Sequence, residues 1–111
     1  MDFMSEPFGE VISIYSDQDA INDGVLIDIA SFGLTFEGKP INRMTVALFD
    51  TFEKQYPTPD GSAVDYEACA RAVTAMLLFV TGEGYLRVLP KDIWMVENEI
   101  GGWTLMYPSD Y

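Results

Sequence analysis

The sequence predicts an α+β domain, and three observations indicate this fold class. Segments rich in β-branched and aromatic residues, typical of strands, occur near both ends of the chain. Two apolar stripes with helical spacing lie between them. The sequence contains no repeat and no obvious linker. We therefore expect a single acidic domain over residues 1–111, with an antiparallel sheet covered by two main helices and one short N-terminal helix.

A strand, a short helix and a second strand are predicted in the first third of the chain. Val11–Tyr15 has strand composition, and Ser16–Asp19 has the S-x-x-D form of a helix capping box. Asp23 and Gly24 supply a helix stop. Val25–Ile29 then returns to strand composition, with alternate apolar residues on one face.

Two helices are predicted in the middle of the chain, after a stretch from Gly33 to Pro40 that is punctuated by Gly and Pro. The first is predicted from about Asn42 and should end before Pro57. The second is predicted from about Asp65 to near Gly82. The apolar stripes are Met44, Leu48, Phe52 and Tyr56 in the first helix, and Cys69, Val73, Met76, Leu77 and Val80 in the second.

The last part of the chain is predicted to form strands. Tyr85–Leu89, Ile93–Val96 and Trp103–Tyr107 have strand composition, and Glu99–Gly102 has the composition of a hairpin turn. We therefore expect a C-terminal antiparallel hairpin.

The composition favours one self-sufficient core in a cytoplasmic protein. Of the 111 residues, 49% are hydrophobic, which is enough to fold without disulfides or metal. Cys69 is the single cysteine and lies on an apolar stripe, so we expect a buried structural thiol. The longest apolar run, Ala75–Val80, is too short to span a bilayer, and the acidic N-terminus lacks the basic segment of a signal peptide.

The charge is strongly negative and unevenly distributed. The chain has 18 acidic residues, 6 basic residues and no His, which gives a formal net charge of -12. Lys39 is the first basic residue, so the segment before it has no cation of its own. Such a surface should repel nucleic acid and anionic membranes and attract a positively charged groove. The carboxylates before Lys39 are Asp2, Glu6, Glu10, Asp17, Asp19, Asp23, Asp28 and Glu37.

Most catalytic and cofactor chemistry is excluded by the residue types. Without His there is no Ser-His-Asp or Cys-His mechanism and no His-based zinc or haem site, and one Cys excludes Cys-rich zinc sites. Asp17 and Asp28 have the spacing of the first and last ligands of a calcium loop, but Ile21 occupies a ligand position between them. A pair of carboxylates could perform acid–base chemistry, although no pattern selects one. We expect no enzyme, no cofactor and no metal site.

The segment Tyr15–Asp28 has the form Tyr-Ser-x-x-x-Ala-Ile-x-Asp-Gly-Val-Leu-x-Asp, which resembles an uncharacterised family of small proteins from bacteria, plasmids and phages. The likeness continues more weakly through Val46–Leu48 and Trp103–Asp110. Size, acidity and mobile-element context make the chain similar in type to anti-CRISPR and anti-restriction proteins, several of which mimic DNA. The resemblance implies a phage or mobile-element protein that acts in the host cytoplasm.

The leading hypothesis is therefore an acidic DNA mimic that blocks a nuclease or CRISPR effector complex by binding its positively charged surface. Exposed charges are screened beyond about 8 Å at physiological salt and mainly raise association rates, so such a protein also needs anchor residues. A purely solubilising surface is the alternative meaning of the charge. The partner-binding residues predicted are Asp17, Asp19, Asp23 and Asp28, along one edge of the domain, together with Glu10 and Glu37.

The alternative function is a non-catalytic protein-interaction or adaptor module, with a homodimer as one option, whose exposed hairpin edge pairs with another chain. An enzyme that acts through paired carboxylates ranks third. The sequence leaves the partner and the oligomeric state open.

Overall fold

The structure is a computed structural model that describes residues 16–111. This part of the chain has an α+β fold, as predicted, with three helices and a seven-stranded sheet. The predicted strand Val11–Tyr15 lies outside the described residues. The helices are α1 (Asp17–Asn22), α2 (Val46–Gln55) and α3 (Tyr66–Leu77), and the strands are β1 (Leu26–Asp28), β2 (Thr35–Phe36), β3 (Lys39–Thr45), β4 (Thr81–Glu83), β5 (Leu86–Leu89), β6 (Ile93–Glu97) and β7 (Trp103–Met106).

The sheet is open and mostly antiparallel. Its strand order is β1-β3-β7-β6-β5-β4, and β2 pairs with β3 beside this path. The predicted C-terminal hairpin is confirmed as β6 and β7, which are antiparallel neighbours. The β3–β7 pair is parallel. A parallel pair needs a long crossover, and here α2, α3 and three strands separate the two in the chain.

The short helix α1 begins and ends where the sequence predicts. The Ser16 hydroxyl accepts a hydrogen bond from the Asp19 amide at 3.1 Å, and the Asp19 carboxylate accepts one from the Ser16 amide at 3.3 Å. These reciprocal bonds form a capping box. Gly24 follows the helix with φ of 74°, a left-handed conformation that glycine adopts without steric cost. The chain then turns directly into β1.

Strand β1 follows the predicted alternation in part. Ile29 is fully buried and Ile27 packs against the same core. Val25, which was expected on this face too, is 45% exposed and lies just before the first residue of β1.

The prediction of a helix from about Asn42 is wrong at its start. Residues 39–45 form β3, and α2 begins only at Val46. Met44 fits the helical spacing because β3 continues directly into α2. Met44 of the strand and Leu48 of the helix therefore pack into the same core. Met44 pairs with Leu105 of β7 and is fully buried.

The second main helix is also shorter than predicted. It ends at Leu77, with Leu78 as its C-terminal cap, and does not extend to the region of Gly82. Tertiary structure explains the difference, because Thr81–Glu83 pairs with β5 as a strand and so cannot continue the helix. The N-terminus of α3 is as predicted, since the Asp65 carboxylate caps it by accepting a hydrogen bond from the Ala68 amide at 3.0 Å.

The core lies between one face of the sheet and helices α2 and α3. Its large members include Trp103, Phe52 and Met95, each 2% exposed or less. Burial of one such side chain stabilises the fold by about 1.5–3 kcal/mol. Cys69 is buried in this cluster, as predicted, and burial, followed by the nearby Asp65 carboxylate, raises the pKa of its thiol.

Candidate functional site

The structure pairs two of the predicted partner-binding residues, Asp17 and Asp28, with Arg43 of β3. Arg43 Nε donates to Asp17 Oδ1 and Arg43 Nη2 donates to Asp17 Oδ2, each at 2.9 Å. Arg43 Nη1 lies 3.3 Å from Asp28 Oδ1. The Arg43 and Asp17 side chains are only 13% and 11% exposed. The segment before Lys39 contains no cation, but the sheet brings Arg43 to it as a counter-ion from later in the chain.

This ion pair holds α1 against the sheet. The two hydrogen bonds from Arg43 to Asp17 raise the pKa of Arg43, opposed in part by burial of the guanidinium. Asp28 has a second role, since its Oδ1 accepts a hydrogen bond from the Ala30 amide at 2.9 Å and so caps the following turn. Both carboxylates thus contribute to the fold as well as to the surface charge.

The other two aspartates of the predicted edge are exposed. Asp19 lies on α1 and belongs to the capping box, and Asp23 is the C-terminal cap of the same helix. Asp17, Asp19 and Asp23 therefore lie on or next to one short helix, as the sequence predicts.

Glu37 lies in a separate cluster at the turn between β2 and β3. Its two carboxylate oxygens accept hydrogen bonds from Arg87 at 2.9 and 3.0 Å, and these bonds lower the pKa of Glu37. The Arg87 guanidinium also lies over the rings of Phe36 and Trp103, at 5.3 and 5.6 Å from their centroids. Glu37 is thus committed to an ion pair away from α1. Glu10 lies outside the described residues.

A cavity of about 370 Å³ lies beside α1. It is lined in part by Thr104 and Met106, which flank the core residue Leu105 and so face the other side of the sheet from α2 and α3. Val25, Leu26 and Val96 give the cavity an apolar floor. Four carboxylates line it: Asp17, Glu97, Glu99 and Asp110.

Three of these carboxylates were not found from the sequence, because they come from the last fifteen residues of the chain. Glu99 accepts a hydrogen bond from the Asp17 amide at 3.2 Å. Asp110 accepts one from the Thr45 hydroxyl at 2.8 Å. Glu97 lies 2.9 Å from Lys39. The parallel β3–β7 pair is what brings the two ends of the described part of the chain together here, and no local pattern predicts it.

The β6–β7 turn positions Glu97 and Glu99 through Asn98. Asn98 Oδ1 accepts hydrogen bonds from the Gly102 and Ile100 amides at 2.9 and 3.2 Å. Its amide group donates to Asn42 Oδ1 at 2.9 Å, which attaches the turn to β3. A Cβ on Gly102 would lie 2.5 Å from the Pro40 carbonyl oxygen, so this position needs glycine.

We use the term acidic end for the surface around the cavity that is formed by α1, β1, β3, the β6–β7 turn with Glu97, and the C-terminal turn Pro108–Asp110. Carboxylates outnumber cations there, so the surface has a negative potential. The combination of carboxylates with an apolar floor suits a Lys or Arg side chain, which has an apolar stem and a charged head. The carboxylates are Asp17, Asp19, Asp23, Asp28, Glu97, Glu99 and Asp110, and the cations are Lys39 and Arg43.

Within residues 16–111, no group of three or more His, Cys, Asp or Glu side chains is arranged to hold a metal ion. Over the same range, no helix has the length and apolarity to cross a membrane. The chain matches no known protein family, no curated protein and no solved structure. The resemblance to small plasmid and phage proteins therefore stays a prediction.

Proposed function

We propose that the protein is an acidic, non-catalytic inhibitor that binds the positively charged surface of a nucleic-acid-processing complex in place of DNA. The observation that supports this proposal is the excess of carboxylates at the acidic end. Arg43 is shared between Asp17 and Asp28, which leaves that group of three with a net negative charge. Asp19, Asp23 and Glu99 add exposed carboxylates around it.

The spacing of these carboxylates is of the right order for a phosphate mimic. A helix rises about 1.5 Å per residue, so the exposed Asp19 and Asp23, about one turn apart, are separated by about 6 Å along α1. One DNA strand carries a phosphate about every 3.4 Å along the duplex axis. A basic groove that binds phosphates would therefore meet carboxylates at comparable intervals.

The cavity supplies the anchor that charge alone lacks. Exposed charges mainly raise the association rate, and affinity depends on groups that lose water on binding. A partner Lys or Arg could place its stem on Val25, Leu26 and Val96 and its charged head near Glu99 and Asp110. Recognition would then combine long-range attraction with one desolvated contact.

The proposal can be tested by capture from a bacterial lysate with the full-length protein as bait. The test variant is Asp19→Asn/Asp23→Asn/Glu99→Gln, which removes charge at the acidic end. The control is Asp50→Asn/Glu53→Gln/Asp92→Asn, which removes the same charge from exposed positions on α2 and before β6. We expect the wild type and the control to retain a nucleic-acid-binding complex that duplex DNA displaces, and the test variant to lose it. Equal retention by both variants, or no displacement by DNA, would contradict the proposal.

The predicted C-terminal hairpin has no free edge, because β6 also pairs with β5 and β7 also pairs with β3. A second candidate function, the adaptor, is favoured instead by the edge strand β4. All three of its residues are exposed, and among the described strands it pairs only with β5. Such an edge is a template for strand addition by another chain. Partner binding at β4 would depend on backbone hydrogen bonds, so it would survive high salt and would be lost in a Thr81→Pro variant.

A further inference from the structure

The end of α3 exposes two large apolar side chains next to each other. Leu78 is 80% exposed and Phe79 is 69% exposed. Both follow the last residue of the helix, where the chain leaves α3 for β4. Scattered apolar residues are normal on a protein surface, but adjacent large ones often mark an interaction surface.

Grooves flank α3 on both sides. One has a volume of about 530 Å³ and is lined by Phe32, Leu34, Ala70 and Leu78, among others. The other has a volume of about 300 Å³ and is lined by Tyr56, Ala72, Phe79 and Pro90, among others. Ala75 lines both grooves. Small residues on the helix thus leave hollows beside the protruding Leu78 and Phe79, and we call this surface the α3 face.

A surface that carries both protrusions and hollows is suited to contact with a copy of itself. In a two-fold symmetric contact both copies use the same patch. Each protruding residue of one copy can then enter a hollow of the other copy, and each hollow receives a protruding residue in return. Leu78 and Phe79 provide the protrusions. The alanines of α3 let a second helix approach closely enough for ridges to enter grooves.

The charge distribution also favours a second copy here. Two chains of net charge -12 repel each other over most of their surface. The charged residues that line the grooves of the α3 face are Glu67, Arg71 and Lys91, so the groove linings carry two cations and one carboxylate. It is on the opposite side of the sheet from the cavity, so a dimer formed here leaves both acidic ends accessible.

We propose that two copies of the chain pair through the α3 face, with Leu78 and Phe79 of each copy entering the grooves beside α3 of the other. This inference does not depend on the proposed function. A helix of 12 residues is about 18 Å long, so the contact would be smaller than a standard interface of about 800 Å² per partner. The dimer should therefore dissociate on dilution.

Sedimentation equilibrium of the full chain, from about 1 µM to about 1 mM, measures this association. We expect a dimer at the upper end of the range and a stronger dimer at higher salt, because salt screens the like charges. Leu78→Asp and Ala75→Glu should each weaken it at least about tenfold, since one adds a charge to a protrusion and the other to both grooves. Ile100→Asp, at an exposed apolar position of the acidic end, is the matched control and should leave it unchanged.

Cross-linking provides a second measurement. Thr74→Cys places an exposed thiol on the α3 face, and Glu53→Cys places one on α2, while the native Cys69 is buried. A bifunctional thiol reagent should join two copies of the Thr74→Cys protein and not of the Glu53→Cys protein. A wild type that stays monomeric at about 1 mM would overturn the proposal, and so would a dimer that survives both Leu78→Asp and Ala75→Glu.

Discussion

The acidic end and the α3 face lie on opposite sides of one sheet and differ in how they are built. At the acidic end, residues from both ends of the described chain meet, and ion pairs and hydrogen bonds such as those of Arg43 and Asp110 hold them. At the α3 face, most residues that line the grooves come from α3 and the two residues after it, Leu78 and Phe79. The difference teaches that the charge of this protein is divided into two parts. One part forms ion pairs that stabilise the fold, and the other remains exposed on the surface.

The largest expected effect is a difference in stability between a variant of the core and a variant of the α3 face. Phe52 is 2% exposed and Phe79 is 69% exposed. Replacement of a buried phenylalanine leaves a cavity, so Phe52→Ala should lower the free energy of unfolding by about 3–5 kcal/mol. Phe79→Ala should change it by about 0.5 kcal/mol or less in dilute solution. Urea denaturation of both variants measures the difference, and a large loss in Phe79→Ala would place that side chain in the core.

The next effect tests whether an ion pair stabilises the acidic end. Arg43→Met leaves the Asp17 carboxylate without its cation in a site that is only 11% exposed. We expect the free energy of unfolding to fall by about 2–3 kcal/mol, the range for lost charge-assisted hydrogen bonds. Asp17→Asn/Arg43→Met should lose less than the sum of the two single variants, because the same interaction is removed only once. Strictly additive losses would show that the two residues do not act as a pair.

A smaller effect concerns the turn that carries Glu97 and Glu99. A Cβ at position 102 would approach the Pro40 carbonyl oxygen to 2.5 Å, so the backbone must shift. Gly102→Ala should cost about 1–3 kcal/mol, as in other overpacked sites. Gly101→Ala is the neighbouring control. At position 101 a Cβ would meet no atom within 4 Å, so the alanine is strained only by the backbone φ of 81°. If both variants unfold at the same urea concentration, the close contact of Gly102 with β3 is not what the turn requires.

The sequence predicted local features of the fold better than contacts between distant segments, for a physical reason. The capping box at Ser16 and the stripe of α3 are local patterns, and the structure has both. The pairing of Arg43 with Asp17 depends on how β3 lies in the sheet, and Glu99 and Asp110 reach the cavity only through the β3–β7 pair. Met44 shows the same limit, because a spacing of four residues cannot distinguish a helix from a strand that leads into one.

The smallest effect comes from the loop between α2 and α3, where charge stabilises local structure. Hydrogen bonds from the Thr58 hydroxyl, and then from the Ser62 amide and hydroxyl, lower the pKa of Asp60 to about 2 from an ordinary 3.8. Because the pKa of Asp60 is lower in the folded state, the ionised Asp60 stabilises the fold fully above pH 3.8. This contribution is lost as the pH falls through about 2. Asp60→Asn should therefore be slightly less stable than the wild type at pH 5, with the gap closing near pH 2. A gap that is constant across urea denaturations from pH 5 to pH 2 would exclude ionisation as its cause.

The most direct test of the acidic end is the salt dependence of binding to the complex that the protein captures. Affinity is measured at salt concentrations from about 50 to about 200 mM. We predict that the wild type and the Asp50→Asn/Glu53→Gln/Asp92→Asn control lose at least about tenfold in affinity over this range. The Asp19→Asn/Asp23→Asn/Glu99→Gln variant should bind more weakly at low salt and show a shallower dependence. Affinity that is indifferent to salt, or equal slopes for all three proteins, would contradict the assignment of the acidic end as the binding surface.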